Sequence, residues 1–219
     1  MKIRTQEELY DRIFDDLVWR RRELVLFNSQ LDRVNSEFSR ALLRGSVALL
    51  YAHWEGFIKN ACHYYLCYLS TCDIPFSQLI PELAALALRG KISEAIFAKK
   101  IAMRAELVRH IRDRAQERAR IPNSRDTVIT ESNLSYAVLT EILTSVGCDA
   151  ERYADYADLI DDQLVNSRNK IAHGEYANIA RTEWKELSSQ VLWMMDDIAT
   201  QLVNGAVERS YLTSSGLNG

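Results

Sequence analysis

The sequence predicts an all-α fold, an antiparallel bundle of about five to seven helices. The first observation is that 219 residues contain only eight glycines and three prolines, which leaves long stretches without a helix breaker. The second is that apolar side chains recur at intervals of three and four along most of the chain. No run of residues has the length and alternation of a strand, so a sheet is not expected.

The first two predicted helices are long. One starts near residue 6 and reaches the low thirties, with leucine and isoleucine at near-helical spacing and the basic run Arg20, Arg21 and Arg22 interpreted as a solvated face. The second extends to about residue 70. Its apolar face is wide, so we expect other helices to cover it on more than one side.

The rest of the chain is expected to complete one domain over residues 1–219, with residues 75–125 as a helical insertion. The further predicted elements are a turn and one or two short helices at 71–98, a basic amphipathic helix at 99–120, helices at about 132–146, 153–172 and 181–207, and a flexible tail at 210–219.

Composition excludes several classes of function. A net charge of −3 is not that of a general nucleic-acid binder. No apolar run approaches membrane-spanning length, and the first residues lack the apolar core of a signal peptide, so we expect a cytoplasmic protein without membrane contact. The four cysteines form no closely spaced pair, and no phosphate-binding glycine loop or nucleophile elbow occurs. We therefore expect no metal and no cofactor.

The segment SRNKIAHGEY, residues 167–176, carries the strongest functional signal. Arg168 continues the apolar stripe of Ile160 and Leu164, and a cation on a packing face needs a partner or an anionic ligand. His173 can titrate near neutral pH. It lies about 140° around an ideal helix from Arg168, so we expect Gly174 to end the helix and release His173. Together these residues predict a site that holds a phosphate and moves a proton.

The string R-N-K-I-A-H-G resembles the signature of the HEPN superfamily. The segments LLYAHWEGFIKNACHYYL (49–66) and SNLSYAVLTEIL (132–143) are similar to those of a single-domain bacterial branch. The resemblance implies an all-helical, metal-independent RNase of toxin–antitoxin or antiviral type. It also implies catalytic roles for Arg168, Asn169 and His173, and a homodimer whose two arginine–histidine sets line one cleft. RNA, and an antitoxin or other defence protein, are the partners it implies.

In that reading the RNA 2′-hydroxyl is the nucleophile, Arg168 clamps the phosphate, and His173 serves as acid or base. Asn169 orients the phosphate or fixes the histidine tautomer. Glu55 either pairs with Lys59 one turn away or meets Arg168 and orients it. Tyr51, one turn before Glu55, can hydrogen-bond near the site or serve only as a core aromatic residue.

The basic segment 99–120 carries eight Lys or Arg residues against three acids. It is a candidate RNA contact, and a solvated helix or a contact for an acidic partner protein are the alternatives. We expect its apolar side chains at positions 101, 107, 108 and 111 to be buried. The candidate RNA-binding side chains are Lys99, Lys100, Arg104, Arg109 and Arg112.

Three other interpretations remain open at this point. In the first, Arg168 pairs with Asp161, Asp162 or Glu55 while His173 only ends a helix. In the second, the chain is a non-catalytic HEPN-like module that binds RNA, a nucleotide or a protein. In the third, it is a helical scaffold of a defence complex, which a buried Arg168 ion pair would favour.

Overall fold

A computed structural model describes residues 1–31, 36–176, 178–214 and 216. Its helices are α1 (Gln6–Leu31), α2 (Ser36–Leu69), α3 (Pro81–Phe97), α4 (Ile101–Asp113), α5 (Tyr136–Ser145), α6 (Ser167–Ala172) and α7 (Arg181–Val207). Short 3-10 turns lie at Phe76–Gln78, Arg125–Thr127 and Glu151–Tyr156, and a π-helical stretch, Leu159–Asn166, leads directly into α6. The described residues form no strand, as the sequence predicts, and none of their helices is long and apolar enough to span a membrane.

Helices α1, α2 and α7 form the centre of the bundle. The Thr71 hydroxyl, just past α2, bonds to the Ile3 carbonyl before α1, and Asn60 bonds to Asp16 near the middle of both helices. The start of one helix therefore lies beside the end of the other, so α1 and α2 run antiparallel. Helix α7 is likewise antiparallel to α1, because Gln6 bonds to the Ala206 carbonyl and Arg21 pairs with Asp196.

The core follows the predicted apolar stripes. Leu9, Ile13, Leu17, Leu24 and Leu31 of α1 are all buried, which confirms the spacing argument for this helix. In α2 the wide apolar face is covered by both α1 and α7. Trp54 and Trp184 are fully buried between these helices, so the centre of the bundle is closed to water.

The interpretation of Arg20 as part of a solvated face is wrong. Its side chain is only 6% exposed, pairs with Asp16 at 3.0 Å and donates to the His53 carbonyl across the α1–α2 contact. Gly56 makes room for it, since a Cβ there would lie 2.9 Å from the guanidinium. Burying this arginine requires a carboxylate partner, and Asp16 supplies it.

The α3–α4 pair forms a helical hairpin that leaves and rejoins the bundle at one place. The backbone amide of Phe76 donates to the Glu117 carbonyl, and that of Ala119 donates to the Ile74 carbonyl. The two ends of the predicted insertion, 75–125, therefore lie side by side. The expectation that the apolar face of α4 is buried is wrong, because none of its residues is buried.

The segment expected to be a flexible tail starts in contact with the rest of the protein. Tyr211 is buried and its carbonyl accepts a hydrogen bond from the Ile80 amide. The Thr213 amide donates to the Gln78 carbonyl. This part of the expectation for 210–219 therefore fails, while residues 215 and 217–219 lie outside the described residues.

Candidate active site at the end of helix α6

Helix α6 ends where Gly174 was expected to end it. The Glu175 amide donates to the Lys170 carbonyl and the Gly174 amide to the Ile171 carbonyl, which together make a Schellman motif. Gly174 has φ +77°, in the left-handed region that glycine tolerates best. His173 is the capping residue just before it, and its side chain is exposed. The helix end thus presents the imidazole to solvent.

This glycine gives a stability prediction with a matched control. Gly174→Ala should lower the free energy of unfolding by about 1 kcal/mol because a Cβ is unfavourable in the left-handed region. Gly45→Ala should be neutral or stabilising by about 0.5–1 kcal/mol, because Gly45 lies within α2. A Cβ would meet nothing within 4 Å at either position, so the backbone angle is the main difference between them. Urea denaturation measures the change in unfolding free energy for both variants. Equal changes would contradict the assignment of Gly174 as the left-handed residue that ends α6.

The Arg168 guanidinium is fixed by three contacts. Its Nη1 donates to Asn169 Oδ1 at 2.8 Å, and its Nη2 donates to the Ser132 carbonyl at 2.7 Å. Its central carbon lies 3.9 Å from the centre of the Tyr51 ring, within cation–π range. The side chain is half-buried, continuing the stripe of the fully buried Ile160 and Leu164.

No carboxylate of residues 1–31, 36–176, 178–214 and 216 pairs with this cation. Among the described residues Arg168 forms no ion pair, and Asp161 instead accepts a hydrogen bond from the Tyr136 amide at the start of α5. The buried Arg168 Nε has no hydrogen-bond partner in the described part of the chain. The rival interpretation of Arg168 as one half of a structural ion pair is therefore not supported.

Tyr51 contacts Arg168 with its ring and the segment before α5 with its hydroxyl. Its ring lies beneath Arg168, and its hydroxyl accepts a hydrogen bond from the Leu134 amide at 2.8 Å. Burial raises the pKa of Tyr51, Glu55 raises it further, and the Leu134 amide and Arg168 act in the opposite direction. The hydroxyl thus stays neutral and holds the 132–134 segment against α2.

Removing this hydroxyl separates the two roles. Tyr51→Phe keeps the ring below Arg168 but leaves the buried Leu134 amide without its acceptor, so we expect a loss of about 1–3 kcal/mol in unfolding free energy. Tyr51→Leu should remove the cation–π contact as well, at a further cost of about 0.5–1 kcal/mol. Urea denaturation of the two variants measures both losses of unfolding free energy. An unchanged unfolding free energy for Tyr51→Phe would show that the hydroxyl does not hold the 132–134 segment.

Glu55 makes neither of the ion pairs considered from the sequence. Its carboxylate accepts a hydrogen bond from the Thr130 hydroxyl at 2.6 Å, and no salt bridge to Lys59 or Arg168 forms among the described residues. It also raises the pKa of Tyr51, whose ring lies beneath Arg168. A supporting role for Glu55 stays a prediction.

The loop before α5 supplies contacts that the sequence did not reveal. Glu131 and Ser132 both have φ of 55°, an uncommon conformation for residues other than glycine. Ser132 turns its carbonyl to Arg168, and Asn133 accepts a hydrogen bond from Asn169 Nδ2 at 3.2 Å. Both ends of the Asn169 amide are thus engaged, so in this structure Asn169 positions Arg168.

Arg44 is the other site residue that sequence reasoning missed. Its Nη2 donates to the Glu175 carbonyl at 3.0 Å, and its guanidinium lies 5.6 Å from the Tyr176 ring centre. Arg44 therefore ties the segment just after His173 to α2. The available signal was its position seven residues before Tyr51, on the same face of α2.

The structure groups only part of the predicted site. Arg168, Asn169 and Tyr51 lie together, and Glu55 lies beside Tyr51. The His173 ring makes no hydrogen bond to Arg168 or to other described residues. The basic side chains are on the α3–α4 hairpin, where Arg104 donates to the Ala95 and Ala98 carbonyls and Arg109 pairs with Glu106. Lys99, Lys100 and Arg112 are exposed, and the RNA-binding role of all five stays a prediction.

Comparison with known families agrees with the resemblance in the sequence. The sequence model of the MAE_28990-like HEPN family matches residues 9–211. The chain belongs to the HEPN superfamily. As a HEPN domain it is associated with RNA- or nucleotide-related functions, and its all-α fold is that of the superfamily. Comparisons with curated proteins and with solved structures give no significant match.

The described part of this HEPN domain contains no group of three or more His, Cys, Asp or Glu side chains arranged for a metal ion. Its cysteines are buried or half-buried thiols, and burial raises the pKa of Cys148 to about 12. His173, five residues after Arg168, has an exposed side chain.

Proposed function

We propose that this HEPN domain is a metal-independent endoribonuclease. The observation that carries the proposal is the Arg168 guanidinium, which is held in place by Tyr51, Asn169 and Ser132 and pairs with no carboxylate in the part of the chain that the structure describes. A cation kept in this state is complementary to an anion, and the backbone of RNA offers one phosphate per nucleotide.

The guanidinium is prepared for a phosphate before RNA arrives. Arginine has five N–H donors in a fixed plane, and two of them are used by Asn169 and Ser132. The remaining Nη donors can make a bidentate contact to phosphate oxygens. Because these contacts fix the plane, little reorganisation is needed as negative charge builds in the transition state.

His173 supplies the proton transfers. RNA carries its own nucleophile, the 2′-hydroxyl, so cleavage needs a base for that proton and an acid for the leaving 5′-oxygen. An exposed imidazole at a helix end can reach either position once RNA is bound. Arg44 keeps the following segment against α2, so the imidazole stays near the end of α6.

A twofold dimer would complete the reaction. One imidazole cannot be base and acid at the same moment, and symmetry would place a second Arg168–His173 set across the same cleft. The biological setting that the superfamily resemblance favours is a cytoplasmic toxin–antitoxin or antiphage system, in which an antitoxin or another defence protein restrains the dimer.

The direct test is cleavage of a labelled single-stranded RNA by the purified full-length chain with excess chelator present. We expect cleavage that leaves 2′,3′-cyclic phosphate and 5′-hydroxyl ends, and no cleavage of a matching strand with 2′-deoxyribose throughout. Cleavage that requires a divalent cation, or that leaves 3′-hydroxyl ends, would refute the mechanism.

A second candidate is a non-catalytic HEPN module that binds RNA or a nucleotide. The observation that favours it is the lack of contact between the His173 ring and Arg168 within the described residues. Binding of RNA by the unaltered chain without any cleavage, weakened by Arg168→Ala, would select this candidate. A third reading, a helical scaffold, would show no RNA binding at all.

A further inference from the structure

The α3–α4 hairpin exposes an apolar surface that the RNA site does not use. Helix α4 contacts α3 through its inner side, where Met103, Leu107 and Ala95 line one small pocket between the two helices. No α4 residue is buried. The apolar side chains of the tip and outer side have high exposed fractions, which are Ile96 64%, Phe97 82%, Ile101 78%, Val108 48% and Ile111 39%.

Three of these side chains form a seam along the outer side of α4. Ile101, Val108 and Ile111 occupy positions i, i+7 and i+10, with Arg104 at i+3. These intervals of three and four are the a and d positions of a heptad, the spacing with which one helix packs along another. We call Ile101, Arg104, Val108 and Ile111 the α4 seam. From Ile101 to Ile111 it is about 15 Å long, the length of about one and a half heptads of a partner helix.

The charges around the seam specify the partner. Lys99 and Lys100 precede α4, Arg112 lies next to Ile111, and all three are exposed. The first turn of α4 contains no acidic residue, and no side chain caps its amides, so its positive dipole end adds to the lysines. We propose that the α4 seam binds an acidic amphipathic helix of a partner protein, with carboxylates flanking its apolar stripe.

The same observations weigh against the other occupants. The seam side chains offer no ring for a base to stack on, since the exposed ring of Phe97 lies at the end of α3 and outside the seam. Arg104 already donates to the Ala95 and Ala98 carbonyls, and Arg109 is paired with Glu106. A twofold contact between two seams would bring like charges together. A basic partner protein would also bring like charges together at the seam, so it is not the expected occupant.

The test uses the full-length protein and a synthetic helical peptide of about 21 residues, three heptads with Leu at a and d and Glu at e and g. Fluorescence anisotropy of the labelled peptide should show micromolar binding that weakens as salt is added. Val108→Glu should reduce the affinity at least about tenfold, because it puts a carboxylate in the apolar stripe facing the acidic peptide. Val207→Glu, at an exposed valine at the end of α7, should leave it unchanged.

A charge swap checks specificity. The same peptide with Lys at e and g should bind at least about tenfold more weakly than the acidic peptide. Arg112→Glu should reduce this difference in affinity between the two peptides, because it replaces a cation beside the seam with a carboxylate. Absent binding of the acidic peptide, or equal binding by the Val108→Glu protein, would overturn the proposal. Three other results would also overturn it, because each would show that the seam serves a different occupant. They are that Val108→Glu abolishes binding of the protein to single-stranded RNA, its binding to phosphatidylglycerol vesicles, or its self-association in sedimentation.

Discussion

Arg168→Ala should lower the rate of RNA cleavage at least about 100-fold, because it removes the cation that meets the developing phosphate charge. The same substitution should abolish growth arrest when the chain is expressed in a bacterium. Single-turnover cleavage with chelator present measures the first effect, and colony counts after induction measure the second.

Three controls make the Arg168 result interpretable. Arg22→Ala, at an exposed arginine of α1, should leave both readouts unchanged. Arg168→Lys keeps the charge but loses the planar fork, so it should restore RNA affinity more than cleavage rate. Circular dichroism should show an intact helical fold, since the Arg168 contacts lie at the rim of the bundle. Equal toxicity of Arg168→Ala and the unaltered chain would count against the RNase proposal.

His173→Ala should lower cleavage about 10²–10⁴-fold, the usual contribution of a general acid or base. Its unfolding free energy should change by less than about 0.5 kcal/mol, because the side chain is exposed and makes no hydrogen bond with the described residues. RNA affinity should be nearly unchanged, which separates this variant from Arg168→Ala.

His110→Ala is the matched control for His173. Two of the four histidines, His53 and His63, are buried in α2, and His110 lies on α4 away from the core. We expect His110→Ala to retain full cleavage. A His173→Ala protein that cuts RNA at the normal rate would remove His173 from the mechanism.

The long helices were predictable because each carries its own signal. The apolar stripe of α1 and the wide apolar face of the proline-free α2 are local properties, and burial of these faces is what assembles the bundle. The role of Gly174 was predictable for the same reason. A glycine at a helix end indicates by itself a residue with left-handed backbone angles, which Gly174 adopts.

The rest depends on contacts between distant parts of the chain. Arg44 reaches Glu175 across 131 positions, and the Ser132 carbonyl reaches Arg168 only because two non-glycine residues adopt positive φ. The interpretation of Arg20 was wrong because Asp16 and Arg20, four residues apart, look in the sequence like an ion pair on an exposed helix face. In the structure α2 packs against α1 and buries both side chains. In α4 the pattern correctly indicated an apolar face but not what would cover it.

The central claim is that Arg168 and His173 face the same RNA phosphodiester, the first holding its phosphate and the second moving its protons. NMR titration with a non-cleavable 2′-deoxy oligonucleotide tests it directly, by following the Arg168 side-chain Nε resonance and the His173 ring resonances in one series. The account predicts that both sets shift along one saturation curve, and that Arg168→Ala weakens the response of His173. Shifts confined to one of the two residues, or curves with different midpoints, would contradict it.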